Sequence, residues 1–187
     1  VALLRSAKRP LIISGGGVRY SGAEAALSDF AEAHGVPMAE TIAGKGAVTH
    51  DHPAHVGPIG VIGSSSANAM AEEADVTLAV GTRLQDFTTG PWSTFRRDAR
   101  FISVNTARWD AVKHRALAVV GDARERVAEI AAGMEGWRAD AAWTERARAE
   151  FATWNATLDE LQQVTNALVP TYSQVGGVVN RLAGETY

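Results

Sequence analysis

Three consecutive glycines stand between a short apolar run and an alanine-rich segment, and their spacing is compatible with phosphate binding. The apolar run covers residues 10–14, and Gly15, Gly16 and Gly17 follow it at the start of the next segment. Backbone N–H groups at the start of a helix attract phosphate or carboxylate. The dinucleotide fingerprint Gly-x-Gly-x-x-Gly is met at Gly15 and Gly17, but Tyr20 occupies its third position. Two interpretations stay open: a phosphate-binding turn, or a tight turn that uses glycine only for its backbone freedom.

A second glycine follows the apolar run 76–80 and precedes an arginine that could bind an anion. The guanidinium of Arg83 could hold a phosphate or carboxylate with two hydrogen bonds, or it could simply pair with Asp86. Glu40 lies about where the ribose-binding acid of a dinucleotide-binding unit would lie. With the strand order 3-2-1-4-5-6, both glycine segments would face one crevice. The predicted cofactor-binding residues are Gly15, Gly16, Gly17, Gly81, Thr82 and Arg83.

A cluster of histidines contains residue types that bind metal ions, but its spacing does not favour a metal site. His50, Asp51, His52 and His55 are ordinary metal-ligand types. Pro53 prevents a regular helix from aligning the imidazoles, and no second ligand cluster accompanies them. The sequence also lacks a P-loop and a Gly-x-Ser-x-Gly nucleophile elbow. We therefore predict no metal ligand and no catalytic residue in this chain.

The composition favours a single domain with one well-filled core. The chain has 187 residues, 46% of them hydrophobic, a net charge of −3 and no cysteine. This charge gives no basic footprint for nucleic acid or an anionic membrane, so neither is a predicted partner. The absence of cysteine fits a reducing compartment, and we predict a cytoplasmic protein. Because the sequence begins without methionine, we expect it to be a piece of a longer protein.

The order of apolar segments predicts an α/β fold. Strand-like runs alternate with helical patterns, which is typical of a doubly wound parallel sheet. The predicted strands are 10–13, 36–41, 76–80, 101–105 and 117–120, and the predicted helices are 23–34, 67–74 and 123 to about 134. Residues 44–63 are expected to form an irregular loop. The predicted architecture is a six-stranded parallel sheet flanked by helices, of the NAD/FAD-binding type, with a C-terminal helical linker.

The sequence changes character after Gly136, where aromatic residues recur with helical spacing. Trp137, Trp143, Phe151 and Trp154 fall close to one face of a long amphipathic helix. We therefore predict three segments: a central domain over 1–135, a linker helix over 136–169, and the truncated start of a further domain over 170–187.

Several stretches resemble the middle domain of thiamine-diphosphate-dependent enzymes of the acetohydroxyacid synthase type. They are residues 8–18, 44–48 with 51–53 behind them, and 80–84. Within that superfamily, residues 81–90 followed by Trp92 and Phe95 look most like the hydrolases of inositol breakdown that open a cyclic 1,2-dione. The end of the chain, from Pro170, is similar to the start of the family's C-terminal, diphosphate-binding domain.

The resemblance implies a cofactor and partners that lie outside this chain. The family binds thiamine diphosphate and Mg²⁺ through a Gly-Asp-Gly motif with a trailing Asn in the C-terminal domain, and activates the cofactor with a glutamate from the N-terminal domain. Neither feature occurs here, so the chain alone is expected to be inactive. The implied partners are those two domains, within a homo-oligomer. The crevice of such middle domains holds FAD, ADP or nothing. The alternatives are an acetohydroxyacid-synthase-like carboligase and a stand-alone module that binds FAD, NAD or ADP.

Overall fold

A computed structural model describes residues 1–165 and 167–183, and one parallel sheet lies within residues 1–151. The strands are β1 (Pro10–Ser14), β2 (Met38–Glu40), β3 (His55–Pro58), β4 (Val76–Val80), β5 (Arg100–Asn105) and β6 (Leu117–Val120). Their order in the sheet is β3-β2-β1-β4-β5-β6, and each neighbouring pair is parallel. The predicted six-stranded doubly wound architecture is thereby confirmed. The order reverses between β1 and β4, so a crevice opens there at the carboxyl ends of the strands.

Helices connect successive strands and cover the sheet. They are α1 (Ala2–Arg5), α2 (Gly16–Tyr20), α3 (Glu24–His34), α4 (Ser65–Glu73), α5 (Asp86–Thr89), α6 (Arg108–Ala111), α7 (Ala123–Ala132), α8 (Ala141–Leu161) and α9 (Tyr172–Ala183). Side-chain caps fix the starts of α4 and α7, among others: Ser64 accepts from the Ala67 N–H before α4, and Asp122 accepts from the Arg124 N–H before α7. Gly35, in the left-handed conformation, ends α3.

The central strands are mostly apolar because helices cover both faces of the sheet. On β1, Leu11 and Ile13 pack in a cluster that includes Met70 of α4. Ile12 points the other way, into a cluster with Leu27 and Phe30 of α3. Successive side chains of a strand face opposite sides, so only an unbroken apolar run fills both cores.

One strand was missed in the sequence, and the prediction of an irregular loop over 44–63 was wrong at that point. Residues 55–58 form β3, the edge strand beside β2. Its sequence contains Gly57 and Pro58, which are depleted in strands, and its register against β2 is irregular. An edge strand tolerates proline because one side of its backbone needs no ladder partner.

The chain divides into two compact units, residues 1–151 and the part that begins at Ala152. In the first unit, the start of α8 packs under β1: Trp143 is buried and its Nε1 donates to the Pro10 carbonyl at 2.8 Å. Trp137 precedes this helix rather than belonging to it. In the second unit, Gln174 of α9 donates to the Gln163 carbonyl. Of the segment predicted over 170–187, residues 184–187 lie outside the described part, and the three-segment division stays a prediction.

Candidate functional site

The two glycine segments meet where β1 and β4 end, and their backbones touch. The Gly15 N–H donates to the Val80 carbonyl at 2.8 Å, and the Gly17 N–H donates to the Gly81 carbonyl at 2.9 Å. A Cβ added at Gly17 would lie 2.6 Å from the Cα of Gly81, and one at Gly15 would lie 2.4 Å from the Gly81 carbonyl oxygen. Glycine is therefore required here by the close approach of two main chains.

The glycines lie in a different local structure from the turn that the sequence suggested. Gly16 and Gly17 begin the five-residue helix α2 instead of forming a loop before one long helix. Tyr20 ends this helix, and Gly22, with a φ of +61°, starts the turn into α3. The N–H groups of Gly15 and Gly17 already donate to the carbonyls of Val80 and Gly81, so an incoming phosphate would have to displace those hydrogen bonds.

A cavity of about 320 Å³ lies at the reversal of strand order, and the predicted residues gather around it. Gly16, Gly17, Gly81, Thr82 and Arg83 line it, and Gly15 packs directly beneath, against Gly81. The exposed Arg83 donates to the Gln85 side chain at 3.2 Å rather than pairing with Asp86. The sequence therefore identified the residues around the crevice.

Some polar residues of the crevice, among them Asn105 and Asp110, escaped the sequence analysis. Asn105 and Asp110 also line the cavity, and Asn105 Nδ2 donates to the Thr82 carbonyl at 3.2 Å. Asn105 is the last residue of β5, directly after an apolar run. A polar residue at the carboxyl end of a predicted strand was the signal that could have identified it.

On the other side of β1, a buried carboxylate is held by three groups. The side chain of Glu40, at the end of β2, is 1% exposed. Its oxygens accept from Lys45 Nζ at 2.6 Å and from the Gly46 N–H at 3.0 Å, and His55 Nε2 lies 3.3 Å away. Glu40 is not among the residues that line the crevice, and these contacts occupy both its oxygens. These contacts hold the 45–46 turn. They leave Glu40 outside the crevice in which its position in the sequence suggested a contact with ribose.

The contacts of Glu40 keep it ionised although it is buried. Burial alone would raise the pKa of this carboxyl, but the contacts with His55 and Lys45, the charge of Lys45 and the Gly46 N–H together lower the pKa to about 2. The pKa of His50, nearby, is lowered by partial burial and by the neighbouring His55 and Lys45. Both effects disfavour the charged form of His50.

The histidine cluster is an aromatic contact. The rings of His50 and His55 lie 5.8 Å apart, and both pack on Phe151 with centroid distances of 5.1 Å. His52 Nδ1 instead accepts from the Ala54 N–H at 3.2 Å. Within residues 1–165 and 167–183, no three His, Asp or Glu side chains are grouped so as to hold a metal ion.

The residues present do not fit thiamine diphosphate. The 187-residue sequence contains no Gly-Asp-Gly motif; the nearest approach is Gly121-Asp122-Ala123. The carboxylate of Asp122 is used as the cap of α7, where it accepts from the Arg124 N–H at 2.9 Å. The sequence therefore lacks the motif, and residues 1–165 and 167–183 contain no carboxylate cluster for the diphosphate and its metal. In addition, no helix among the described residues combines the length and apolarity needed to cross a membrane.

Comparisons with known proteins agree with this fold. Residues 1–130 match the family described as "Thiamine pyrophosphate enzyme, central domain". The chain is 38% identical over 165 residues to the 3D-(3,5/4)-trihydroxycyclohexane-1,2-dione hydrolase of Clostridium perfringens, covering 88% of this chain and 25% of the relative. It is 42% identical over 164 residues to the enzyme of the same name from Geobacillus thermodenitrificans, with coverage of 88% and 25%. For the Clostridium botulinum enzyme the values are 43% over 124 residues, 66% and 19%.

These matches cover most of this chain and a minor part of each relative. The chain spans about a quarter of the length of the Clostridium perfringens and Geobacillus thermodenitrificans relatives, and the matches cover 88% of this chain. Residues 1–130, which match the family, contain the six-stranded sheet and the glycine contact between β1 and β4. From the family match over residues 1–130 and the identity to these relatives, the chain belongs to the central-domain family of thiamine pyrophosphate enzymes.

Proposed function

We propose that this chain is the central domain of a thiamine-diphosphate-dependent hydrolase that cleaves a C–C bond of 3D-(3,5/4)-trihydroxycyclohexane-1,2-dione in inositol degradation. The observation that carries the proposal is the identity of 38% and 42% to two hydrolases of that name across 88% of this chain. The three relatives described above come from three different species and share that name.

In this proposal the chain has a structural role in its parent enzyme. Two crevice glycines donate their N–H groups to the Val80 and Gly81 carbonyls, and the buried Glu40 holds a turn, which supports a structural rather than a catalytic role. Thiamine diphosphate and Mg²⁺ are bound by the parent's other domains, and the chain on its own is inactive. The domain's function is then to hold the domains before and after it in their working arrangement.

The flanking coding sequence and an activity assay test the proposal together. A Gly-Asp-Gly motif with a trailing Asn downstream, and an upstream domain with a strand-end Glu, are expected. The purified parent should consume the cyclic dione only when thiamine diphosphate and Mg²⁺ are present, and this chain alone should not. A stop codon just after Tyr187, or a parent that forms acetohydroxyacids and leaves the dione intact, would overturn the assignment.

We further propose that the crevice formed by Gly15, Gly16, Gly17, Gly81, Thr82 and Arg83 binds no FAD, NAD or ADP tightly. The N–H groups of Gly15 and Gly17 already donate to the Val80 and Gly81 carbonyls. Glu40, the acid expected to bind a ribose, already accepts from Lys45 and Gly46. Titration of the parent with each nucleotide is the test. Micromolar binding, about 8 kcal/mol, that is weakened by Arg83→Ala would make the crevice a nucleotide site and reject the proposal.

The remaining proposals concern the whole parent. Its N- and C-terminal domains are the partners of this chain, and it assembles as a homo-oligomer in the cytoplasm. The support is the short coverage of the relatives, about a quarter of their length, and a cysteine-free sequence that suits a reducing compartment. Sedimentation of the purified parent and its fractionation from cells measure the two properties; a monomeric or a secreted parent would contradict them.

A further inference from the structure

Another cavity, of about 1020 Å³, lies at the amino ends of strands β5 and β6. It is lined by residues 92–101, which lead into and begin β5, by residues 114–117, which do the same for β6, and by Leu3 of α1. We call it the amino-end cavity. The crevice opens at the carboxyl ends of the strands, and the two cavities share no lining residue. Pockets of about 300 to 1000 Å³ hold organic ligands, so the amino-end cavity is a separate candidate binding site.

Aromatic rings that pack against one another line the amino-end cavity. The ring centroid of Trp92 lies 4.1 Å from that of His114 and 5.5 Å from that of Phe101. The rings of Phe95 and Phe101 are 5.1 Å apart, and each residue is 5% exposed. Burial therefore fixes the two phenylalanines, whereas Trp92 and His114 are partly open to the cavity. Such a group of rings provides a surface on which a flat ring can pack.

Arginine side chains line the same cavity, and two of them lack an anionic partner. The charged residues that line it are Arg96, Arg97, Asp98, Arg100 and Arg115. The carboxylate of Asp98 is paired with Arg96 at 2.5 Å. Within residues 1–165 and 167–183, the side chains of Arg97 and Arg115 make no hydrogen bond or ion pair. A guanidinium group binds phosphate or carboxylate through paired N–H donors, so these two can bind an anion.

The backbone holds three of the lining residues in a conformation that bulky residues rarely adopt. The φ angle is +66° at Trp92, +60° at His114 and +57° at Arg115. Within the described residues, Leu84 is the other non-glycine residue with a positive φ. Residues in such sparsely populated conformations cluster at ligand-binding and active sites, where the surrounding structure holds them in place. The strain at this cavity is therefore a second indication of a binding site.

We propose that the amino-end cavity binds a small organic anion in which an aromatic ring carries a phosphate or a carboxylate group. The ring packs on Trp92 and His114, and the anionic group accepts from the guanidinium groups of Arg97 and Arg115. A purely apolar ligand would leave the two guanidinium groups unpaired, and an inorganic anion would leave the rings uncovered. The inference goes beyond the proposed function and does not depend on it, because every lining residue lies within residues 1–151.

Isothermal titration calorimetry of the purified full-length protein with matched probes tests the inference. Phenyl phosphate and benzoate carry both a ring and an anionic group, whereas inorganic phosphate carries only the charge and benzyl alcohol only the ring. We expect a Kd below about 1 mM for phenyl phosphate or benzoate, and binding at least about tenfold weaker for the other two probes. The tighter of the two aromatic anions identifies the anionic group that the cavity prefers.

Arginine variants locate the bound probe. Arg97→Gln and Arg115→Gln remove a charge from the cavity but keep a side chain of similar length. Arg124→Gln is the control, because Arg124 is an exposed residue of α7 that does not line the cavity. We expect each cavity variant to weaken the tighter probe about fivefold or more, and the control to change its Kd less than about twofold. Thermal denaturation verifies folding, and the exposed Arg97 gives an informative variant even if Arg115→Gln lowers the Tm.

Three results would overturn the inference. No detectable binding of phenyl phosphate or benzoate would mean that the cavity takes no aromatic anion. Benzyl alcohol binding as tightly as phenyl phosphate would make the cavity an apolar site in which the arginines have no part. A probe affinity that is the same in both cavity variants and in Arg124→Gln would place the bound anion elsewhere in the protein. Consumption of the cyclic dione is measured separately, so the proposed function can fail without affecting this inference.

Discussion

The two sides of strand β1 are stabilised by opposite means. Toward β4, the chain relies on the absence of side chains: Gly17 and Gly81 approach so closely that a Cβ on Gly17 would lie 2.6 Å from a backbone carbon. Toward β2 and β3, the structure depends on a charge: the carboxylate of Glu40 lies buried between Lys45 and His55. On the first side the close approach of Gly17 and Gly81 excludes an added atom, and on the second side the buried carboxylate of Glu40 supplies a charge to its neighbours.

The crevice opens on the β4 side of β1, where the order of the strands reverses. Between β1 and β4 the connections leave in opposite directions, and the glycines let the two loops begin in contact before they diverge around the cavity. From β1 through β2 to β3 the sheet continues. Glu40, at the end of β2, holds the 45–46 turn by hydrogen bonds from Lys45 and Gly46. Closure on one side and opening on the other follow from the order of the strands.

The largest effect is expected from Gly17→Ala. The added methyl group meets backbone atoms of Gly81, which cannot rotate away, so the loops must separate. We expect a loss of about 3 kcal/mol or more in the free energy of unfolding, measured by urea denaturation. The control is Gly16→Ala in the same helix, where the nearest atom is the Ala43 carbonyl oxygen at 3.1 Å and the expected change stays within about 1 kcal/mol. Equal losses would contradict the close backbone contact.

Removing the charge on the other side is expected to have the next largest effect. Glu40→Gln keeps the shape of the side chain but leaves His55 and Lys45 without their anion. We expect a loss of about 2 to 3 kcal/mol, because a buried group is left without its partner. Glu145→Gln, which removes an exposed carboxylate paired with Arg148 at 2.7 Å, is the control and should cost less than about 0.5 kcal/mol. A cost for Glu40→Gln as small as the control's would mean that the charge is not needed.

The pH dependence of stability sharpens the same comparison. The pKa of Glu40 is about 2 in the folded chain against 4.5 ordinarily, so the unfolded chain binds more protons between these values. The stability that Glu40 contributes is therefore complete above about pH 5 and is lost as the pH falls toward 2. We expect the difference in unfolding free energy between wild type and Glu40→Gln to shrink toward zero across that interval. A difference that stays constant would place the pKa of Glu40 in its ordinary range.

The smallest effect is expected from Lys45→Met. The side chain of Lys45 is 65% exposed, so water screens its attraction to Glu40. A loss of about 1 kcal/mol or less is expected, and it should diminish in 0.5 M salt. The Gly46 N–H and His55 still face the carboxylate in this variant. A loss as large as that of Glu40→Gln would show that the ammonium is the essential partner.

Much of the fold was readable from the sequence because buried parallel strands are unbroken apolar runs. Strands β4 and β6 have the predicted bounds, and the caps of Ser64 and Asp122 lie where their residue types indicate. Strand β3 was not readable, because Gly57 and Pro58 normally interrupt strands and only its place at the sheet edge permits them. Five of the residues that line the crevice were found from glycines at strand ends, but others, such as Asn105 and Asp110, were not.

The sequence by itself determined the α/β class, the central strands and the two glycine segments, since these depend on local periodicity and on residues close along the chain. The tertiary structure alone decided how those groups are used. It brought Gly17 against Gly81, and it paired Glu40 with His55, 15 positions further along the chain and in a neighbouring strand. Whether a backbone N–H or a carboxylate is free for a ligand depends on which distant groups fold against it, and a pattern within one segment does not contain that information.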